Sequence, residues 1–163
     1  MSFTLWRIAS DTSEYLADDL TGKGAEVTGG RWNRKGHPVL YTSTSIALAC
    51  LETAVHLKQR GLPLNRYLVK ISVPVDTWKA RETLAVKDLP VGWDALPEGK
   101  VSLDTGDAWL VKGTAPLLML PSVLVPEEHN VLVNPAHPLA KAITSVKVRK
   151  WLYDPRLLGH KLQ

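Results

Sequence analysis

The segment NRYLVKISVPV, residues 65–75, places apolar side chains at every second position. This period of two predicts a β-strand with one buried face, because successive side chains of a strand point to opposite sides of the sheet. Shorter strands are predicted for TLWRIAS at 4–10 and PVLYTS at 38–43, and HNVLVNP and SVKVRKWLYD are strand-like later in the chain. The strands follow one another too closely for regular βαβ units, so the sequence predicts an α+β domain with few helices.

One long helix is predicted between Ser43 and Arg60. Serine and threonine near its start can cap the first turn, and Lys58, Arg60 and Gly61 are typical of a last turn and its end. The first two turns are apolar on every side. This pattern predicts a helix that is largely buried.

Other segments carry weaker patterns. Short helices are predicted at Asp107–Lys112 and Ser10–Leu20. Residues 76–103, with two prolines and two glycines, are predicted to be mainly loop.

The later apolar run APLLMLPSVLVP is interrupted at Pro121. Because proline has no N–H for a β-ladder, a strand should end there and place Ser122 beside a backbone irregularity.

The composition limits the class of protein. With 163 residues, 45% of them hydrophobic and 22% charged, the chain is expected to form a single globular domain over residues 1–163. Cys50 is the only cysteine, so an intramolecular disulfide is excluded and a reducing compartment is favoured. No apolar run approaches the roughly 18 residues of a membrane span and no signal peptide is recognisable, so a soluble cytoplasmic protein is expected.

Positive charge is concentrated late in the chain. Residues 139–163 contain six lysines and arginines against Asp154 alone, within a net charge of +4 for the whole chain. Such a strip can bind nucleic acid or an acidic protein, although a solvated edge is the commoner explanation. A basic nucleic-acid-binding module or an RNA-targeting toxin is therefore the alternative function.

Glu52 is the most unusual residue of the predicted long helix, because the turns before it offer no polar face. A buried carboxylate is costly unless it is paired or hydrogen-bonded, and perturbed acids are enriched at functional sites. Three explanations stay open: a catalytic carboxylate, a structural one paired with His56 four residues later, or one that is exposed where the helix emerges from the core.

The segment GGRWN places Arg31 directly after two glycines. Glycines let the backbone approach a ligand and an arginine fork can bind phosphate, although a hairpin turn with a salt bridge gives the same pattern. Tyr41 ends a strand before the long helix, so its ring can face the same cleft as Glu52 or pack in the core. Ser43 and Thr44 are equally suited to cap the helix.

Three other chemistries are not favoured. The five histidines and Cys50 lack metal-binding spacing, so no metal site is predicted. GGRWN matches neither a P-loop nor a dinucleotide-binding fingerprint. Ser122 lacks the GxSxG setting of a hydrolase nucleophile.

Several separated motifs, in this order, resemble the RES domain, the toxin half of a bacterial toxin–antitoxin pair, named for its characteristic Arg, Glu and Ser. The resemblance begins at Trp6–Ile8, becomes specific from GGRWN through PVLYTS to ALACLETAVHL, and returns in GDAWL and in LPSVLVPEEHNVLVNPAHP. It covers most of the chain. The three name residues fall at Arg31, Glu52 and Ser122.

The resemblance implies a fold similar to mono-ADP-ribosyltransferases, with a central split β-sheet, and NAD⁺ as a substrate without a resident cofactor. The implied partner is a cognate antitoxin with an Xre-type DNA-binding domain, through which alone the protein would meet nucleic acid. The implied catalytic residues are Arg31, Tyr41, Glu52 and Ser122, and the NAD⁺-binding residues are Arg31, Asn33, Tyr41, Ser43, Ser122 and Asn130.

Breaking the bond between nicotinamide and ribose develops positive charge on the ribose, as in glycoside cleavage, and needs an anion nearby. The leading hypothesis is that Glu52 supplies this anion, Arg31 binds the pyrophosphate, and Tyr41 and Ser122 contact nicotinamide or ribose. ADP-ribose would pass to water, phosphate or a macromolecular target, as in an NAD⁺ glycohydrolase, a phosphorylase or a mono-ADP-ribosyltransferase. A member that binds NAD⁺ or its antitoxin without turnover is the third possibility.

Overall fold

The computed structural model describes residues 1–57 and 62–158. Within these ranges, seven β-strands form one mixed sheet accompanied by four α-helices, so the predicted α+β class is confirmed. The strands are β1 Ser2–Ser10, β2 Leu40–Ser43, β3 Arg66–Pro74, β4 Glu82–Thr83, β5 Leu117–Pro121, β6 His129–Val133 and β7 Thr144–Lys150. The helices are α1 Lys23–Thr28, α2 Ile46–Ala54, α3 Val75–Lys79 and α4 Lys100–Lys112.

The sheet is weakly joined in its middle. Its strand order is β4-β5-β6-β2-β1-β3-β7, antiparallel except for the parallel pair β4–β5. β1 pairs with β3 along its whole length, from Ser2 to Ser10, but it meets β2 only at Trp6, opposite Ser43. The sheet therefore divides into two halves, with a cleft between β1 and β2, as the family resemblance implies.

The predicted strand at 65–75 is β3. Val69, Ile71 and Val73 are fully buried, which confirms the alternating pattern. Val75 leaves the strand and opens α3. Pro74, the last residue of β3, lacks the N–H that would continue the ladder, so the strand ends there.

The predicted long helix is α2, and its bounds are narrower than expected. Ser45 caps it by accepting a hydrogen bond from the backbone N–H of Leu48 at 3.1 Å, while Ser43 still belongs to β2. The helix ends at Ala54. The predicted end at Lys58–Gly61 lies outside the described residues.

The expectation that α2 is largely buried is wrong. Leu48 and Ala49 are buried, but Leu51 is 37% exposed. The reason is that α2 lies along β1 and β2 with one face only and turns the other face to solvent. Glu52 is thus half-buried at the edge between these faces.

Two weaker predictions are corrected by the structure. Ser10–Leu20 is not helical, because Asp11 and Thr12 bind nearby backbone N–H groups with their side chains and hold irregular turns. The region 76–103 is mainly loop, as predicted, although it contains most of α3, all of β4 and the first turn of α4. That helix begins at Lys100, seven residues before the predicted Asp107.

Two hydrophobic layers hold the cleft in place. On one side, Trp32, Trp93 and Trp109 pack with leucines of β5 and β6. On the other, Ala49 of α2 packs on Ile8 of β1. No helix in the described part of the chain is long and apolar enough to cross a membrane.

Candidate functional site

The cleft between the two half-sheets has a volume of about 690 Å³. This lies within the usual range of small-molecule sites, about 300–1,000 Å³. Five of the residues predicted from the sequence line it, and they come from β2, α2, the start of β6 and the loop before β2: Arg31, Tyr41, Ser43, Glu52 and Asn130.

Glu52 is held by hydrogen bonds to one of its two carboxylate oxygens. Ser122 Oγ and Asn130 Nδ2 each donate to Glu52 Oε1 at 2.6 Å. No residue in the described ranges donates a hydrogen bond to the other oxygen, Oε2, while the residue lines the cleft. The carboxylate is therefore fixed in orientation and keeps one oxygen available to a ligand.

Asn130 is itself oriented by Ser43. The two residues are direct cross-strand partners on β2 and β6, and Ser43 Oγ donates to Asn130 Oδ1 at 2.7 Å. Because this bond occupies the amide oxygen, the amide NH₂ group is the part that faces Glu52. The sequence shows that both residues are polar, but only the register of β2 on β6 shows that their side chains are in contact.

Ser122 lies behind the carboxylate, fully buried, directly after the last residue of β5. Its Oγ also accepts hydrogen bonds from the backbone N–H groups of Leu124 and Val125, at 3.1 and 3.2 Å. The predicted strand break at Pro121 is confirmed, and it forms the turn that presents Ser122 to Glu52. Ser122 is not among the residues that line the cleft.

The alternative pairing of Glu52 with His56 is not formed. His56 follows the end of α2, where its ring lines the cleft, and the partners of Glu52 are Ser122 and Asn130 instead. The helix ends before the i+4 position, so His56 does not lie one regular helical turn beyond Glu52.

Arg31 lines the cleft and is bound to a distant loop. Its Nη1 donates to the carbonyl oxygens of Trp93 and Ala95, at 3.1 and 2.9 Å. It forms no salt bridge with any residue in 1–57 or 62–158, so the turn-stabilising ion pair considered from the sequence is not observed there. The loop around residues 93–98 therefore adjoins the cleft, which Leu96 and Glu98 also line.

Tyr41 presents its ring to the cleft and uses its hydroxyl within the protein. The hydroxyl donates to Asn33 Oδ1 at 2.7 Å and accepts from the backbone N–H of Trp32 at 3.0 Å. Burial raises the pKa of the Tyr41 hydroxyl. Glycine at position 30 leaves room for this hydroxyl, because a Cβ there would stand 2.7 Å from the Tyr41 oxygen and would displace it.

Asn33 is fully buried and does not line the cleft. Its amide nitrogen donates to the carbonyl oxygens of Ala25 and His37, each at 2.9 Å, while its oxygen accepts from Tyr41. Asn33 thus holds the loop on which Arg31 lies. Of the predicted binding residues, Asn33 and Ser122 are the two that the structure places behind the cleft.

The motif GDAWL has a structural role that its sequence did not reveal. A Cβ on Gly106 would stand 1.7 Å from the carbonyl oxygen of Trp32, so only glycine lets α4 approach the Arg31 loop this closely. Asp107 binds the same loop through Arg34 Nη1 at 2.8 Å and His37 Nδ1 at 2.7 Å. Although burial opposes it, these bonds hold the pKa of Asp107 below its usual range.

Two arginines that sequence reasoning missed, Arg7 of β1 and Arg66 of β3, also line the cleft. An isolated arginine within a strand has no motif around it and no period that marks it as functional. That both side chains lie at the cleft is evident only from the structure, in which β1 separates from β2.

Fold and cleft together define an α+β protein whose ligand-sized cleft is built around one oriented carboxylate. The model of the RES domain matches residues 4–155. The chain belongs to the RES domain family, and the resemblance found in its motifs is confirmed.

Relatives of known name cover nearly the whole chain. The chain is 56% identical over 158 residues to the Prs ADP-ribosylating toxin of Sphingobium sp. (strain YBL2), covering 97% of this chain and 98% of the relative. It is 38% identical to the protein named toxin Res of Yersinia enterocolitica, covering 88% and 93% of the two chains. For the toxin Res of Pseudomonas putida the identity is 35%, with 94% and 98% covered.

Proposed function

We propose that the protein is an NAD⁺-consuming toxin that cleaves the nicotinamide–ribose bond and transfers the ADP-ribose group. The observation that carries this proposal is the orientation of Glu52, with one oxygen held by Ser122 and Asn130 and the residue facing the cleft. The name of the Sphingobium relative, an ADP-ribosylating toxin at 56% identity, supports the same type of activity.

Glu52 would stabilise the reaction through its charge. As nicotinamide leaves, positive charge develops on the ribose, and a fixed carboxylate close by lowers the energy of that state more than the energy of the substrate. A preorganised group of this kind is typically worth about 3 kcal/mol, or about 100-fold or more in rate. Ser122 and Asn130 contribute by keeping the carboxylate from turning away.

The structure favours different roles for Tyr41 and Arg31. The Tyr41 hydroxyl is already hydrogen-bonded to Asn33 and Trp32, so the ring face is the part left for nicotinamide or ribose, and stacking is the proposed contact. Arg31 uses Nη1 for the carbonyls of Trp93 and Ala95, so its remaining N–H groups are the ones proposed to bind the pyrophosphate.

The proposed acceptor is a protein. The name of the Sphingobium relative states that it ADP-ribosylates Prs, and the present chain aligns with 98% of that relative. We propose Prs as the first acceptor to test, with water and phosphate as the alternatives. The proposed partner is a cognate antitoxin of the Xre type that keeps the toxin inactive.

The test is to incubate the purified, partner-free protein with NAD⁺ in the presence or absence of Prs and of phosphate. Nicotinamide release is followed, and the ADP-ribose product is identified by mass spectrometry. The proposal predicts nicotinamide release and a mass increase of one ADP-ribose on Prs. Release without modification of Prs would make water or phosphate the acceptor, and intact NAD⁺ under all conditions would overturn the proposal.

The alternative of a nucleic-acid-binding module finds less support in the structure. Lys147 is paired with Asp11 at 2.8 Å and Arg156 with Asp154 at 2.7 Å, so part of the basic strip is neutralised within the chain. The alternative predicts affinity for RNA or DNA that falls linearly in log salt, which a binding titration at two salt concentrations would reveal.

A further inference from the structure

Four exposed apolar side chains surround the mouth of the cleft. They come from separate segments of the chain: the segment after β1, the end of α2, the loop before α4 and the turn after β5. These residues are Leu16, Val55, Leu96 and Leu124, and each is both exposed and part of the cleft lining. Single exposed leucines are common on protein surfaces, but a group of them around a ligand-sized cleft is typical of a surface that contacts another protein.

Leu96 is held in its exposed position by the loop that carries it. Arg31 Nη1 donates to the carbonyl oxygens of Trp93 and Ala95. Trp93 is buried and stacks on Trp32, with the ring centres 6.2 Å apart. Leu96 follows directly after these anchors and is nonetheless 79% exposed. The fold therefore presents this leucine to solvent at the mouth of the cleft, where it adds nothing to the hydrophobic core.

An acid accompanies the apolar side chains at the mouth. Glu98, two residues after Leu96, is exposed, lines the cleft and forms no salt bridge with any residue in 1–57 or 62–158. Asp19, another acid of the lining, differs because it accepts a hydrogen bond from Thr21 Oγ1 at 2.7 Å. The mouth thus combines apolar surface with a negative charge that the described chain does not neutralise. This combination complements an apolar surface that carries a basic residue.

The possible occupants differ in what they gain from this surface. Water and phosphate reach the ribose through the open cleft and gain nothing from apolar contacts at its mouth. Nucleic acid presents phosphates, for which an apolar rim with a free carboxylate offers no partner. A protein buries apolar side chains when it brings one of its own nucleophilic groups to the ribose.

We propose that Leu96 and Glu98, together with the other three apolar residues of the mouth, form the docking surface for a protein acceptor of ADP-ribose. The acceptor that fits has an apolar surface with a basic residue beside it. This inference rests on the proposed function, because it assigns the surface by which the acceptor of that reaction is held.

The experiment measures the KM for Prs and the KM for NAD⁺ in ADP-ribose transfer by wild type, Leu96→Ser and Val91→Ser. Val91 is the matched control, because it lies in the same loop and is 97% exposed but does not line the cleft. We expect Leu96→Ser to raise the KM for Prs about 10-fold, which is typical for the loss of one buried apolar contact in an interface, and to change the KM for NAD⁺ much less. Val91→Ser is expected to have the wild-type KM for Prs.

Glu98→Gln tests the charge at the mouth. Its control is Asp94→Asn, which removes an exposed acid of the same loop that lies outside the cleft lining. We expect Glu98→Gln to raise the KM for Prs about threefold at low salt and less at high salt, since exposed charges at an interface are screened. Asp94→Asn should match wild type at both salt concentrations. A wild-type KM for Prs in Glu98→Gln at low salt would overturn the role of the charge.

Three results with Leu96→Ser would overturn the inference. The first is a KM for Prs equal to that of wild type. The second is a rise in the KM for NAD⁺ as large as the rise for Prs, which would make Leu96 an NAD⁺-binding residue. The third is a wild-type KM for Prs together with failure of the cognate antitoxin to protect cells from the variant, which would assign the surface to the antitoxin.

The outcomes also separate this inference from the proposed reaction. Wild type that releases nicotinamide but transfers no ADP-ribose to Prs would keep the reaction and overturn the docking role. Docking without turnover is measured as the affinity of Prs for Glu52→Gln, with and without Leu96→Ser. An affinity that falls about 10-fold when Leu96→Ser is added would support the docking surface even if wild type released no nicotinamide and the proposed reaction were overturned.

Discussion

Ser122 Oγ donates a hydrogen bond to Glu52 Oε1 at 2.6 Å, although the two residues are 70 positions apart in the sequence. Ser122 is fully buried on the side of the carboxylate away from the cleft lining. Under the proposed function, this places Ser122 in the role of a positioning residue that acts through Glu52, while Glu52 is the group that faces the substrate.

Ser122→Ala is expected to lower kcat for nicotinamide release about 10-fold and to leave KM for NAD⁺ nearly unchanged, because the loss of one oriented hydrogen bond affects the transition state most. The second measurement repeats the substitution in a Glu52→Gln background. A positioning role predicts little further loss there, since the group being positioned is already altered. A full additional loss, or a large rise in KM, would indicate direct contact with the substrate.

Gly106→Ala is expected to lower the free energy of unfolding by about 3 kcal/mol or more, since the methyl group would meet the Trp32 carbonyl oxygen at 1.7 Å and backbone cannot move aside easily. Urea titration provides the measurement. Gly99→Ala, at the start of the same helix, is the matched control because a Cβ there has no atom within 4 Å. Equal stability of the two variants would contradict the close approach of α4 to the Arg31 loop.

Asp107→Asn is expected to destabilise the protein by about 1–3 kcal/mol at pH 7, because hydrogen bonds from Arg34 and His37 to a charged group are lost. The folded-state pKa of Asp107 lies below its ordinary value of 3.8, so its contribution is present above that pH and disappears as pH falls through the folded value. The difference from wild type should therefore shrink below about pH 4.

Chemical denaturation at pH 7 and pH 3 tests this dependence. The exposed residue Asp94 provides the control, since Asp94→Asn removes a charge that has no described partner. A difference between wild type and Asp107→Asn that is equally large at both pH values would contradict an ionised Asp107 as the loop anchor.

Tyr41→Phe is expected to reduce stability by about 1–3 kcal/mol, because the Trp32 N–H and Asn33 Oδ1 lose their shared partner. Its kcat should stay within about threefold of wild type, since the ring that faces the cleft is retained. Tyr41→Ala removes the ring and should lose most activity. A loss of activity in Tyr41→Phe as large as in Tyr41→Ala, with the protein folded, would assign the hydroxyl itself to the chemistry.

The sequence was most informative where a residue conflicted with its surroundings. Glu52 stood out because it follows an apolar stretch, and Arg31 because it follows two glycines. The strand at β3 was recognisable since burial on one face enforces a period of two. These signals are local, so a single sequence can carry them.

Other parts of the site depend on contacts that no local pattern records. The partners of Glu52 are 70 and 78 positions away, and the register of β2 on β6 decides that Ser43 faces Asn130. The burial of α2 was overestimated because its apolar sequence continues onto an exposed face, where Leu51 meets solvent. Arg7 became notable only in the structure, where its Nε has no described hydrogen-bond partner.

The central claim is that the charge of Glu52 drives cleavage of the nicotinamide–ribose bond. Its most direct test compares the rate of nicotinamide release by Glu52→Gln with the rate of the control variant Glu127→Gln. Glu127 is an exposed acid in the turn that follows Ser122 and does not line the cleft, so its substitution controls for the loss of one carboxylate. We predict a fall of about 100-fold or more for Glu52→Gln in folded protein and no change for Glu127→Gln. Equal rates in wild type and Glu52→Gln would contradict the claim and leave Glu52 a structural carboxylate.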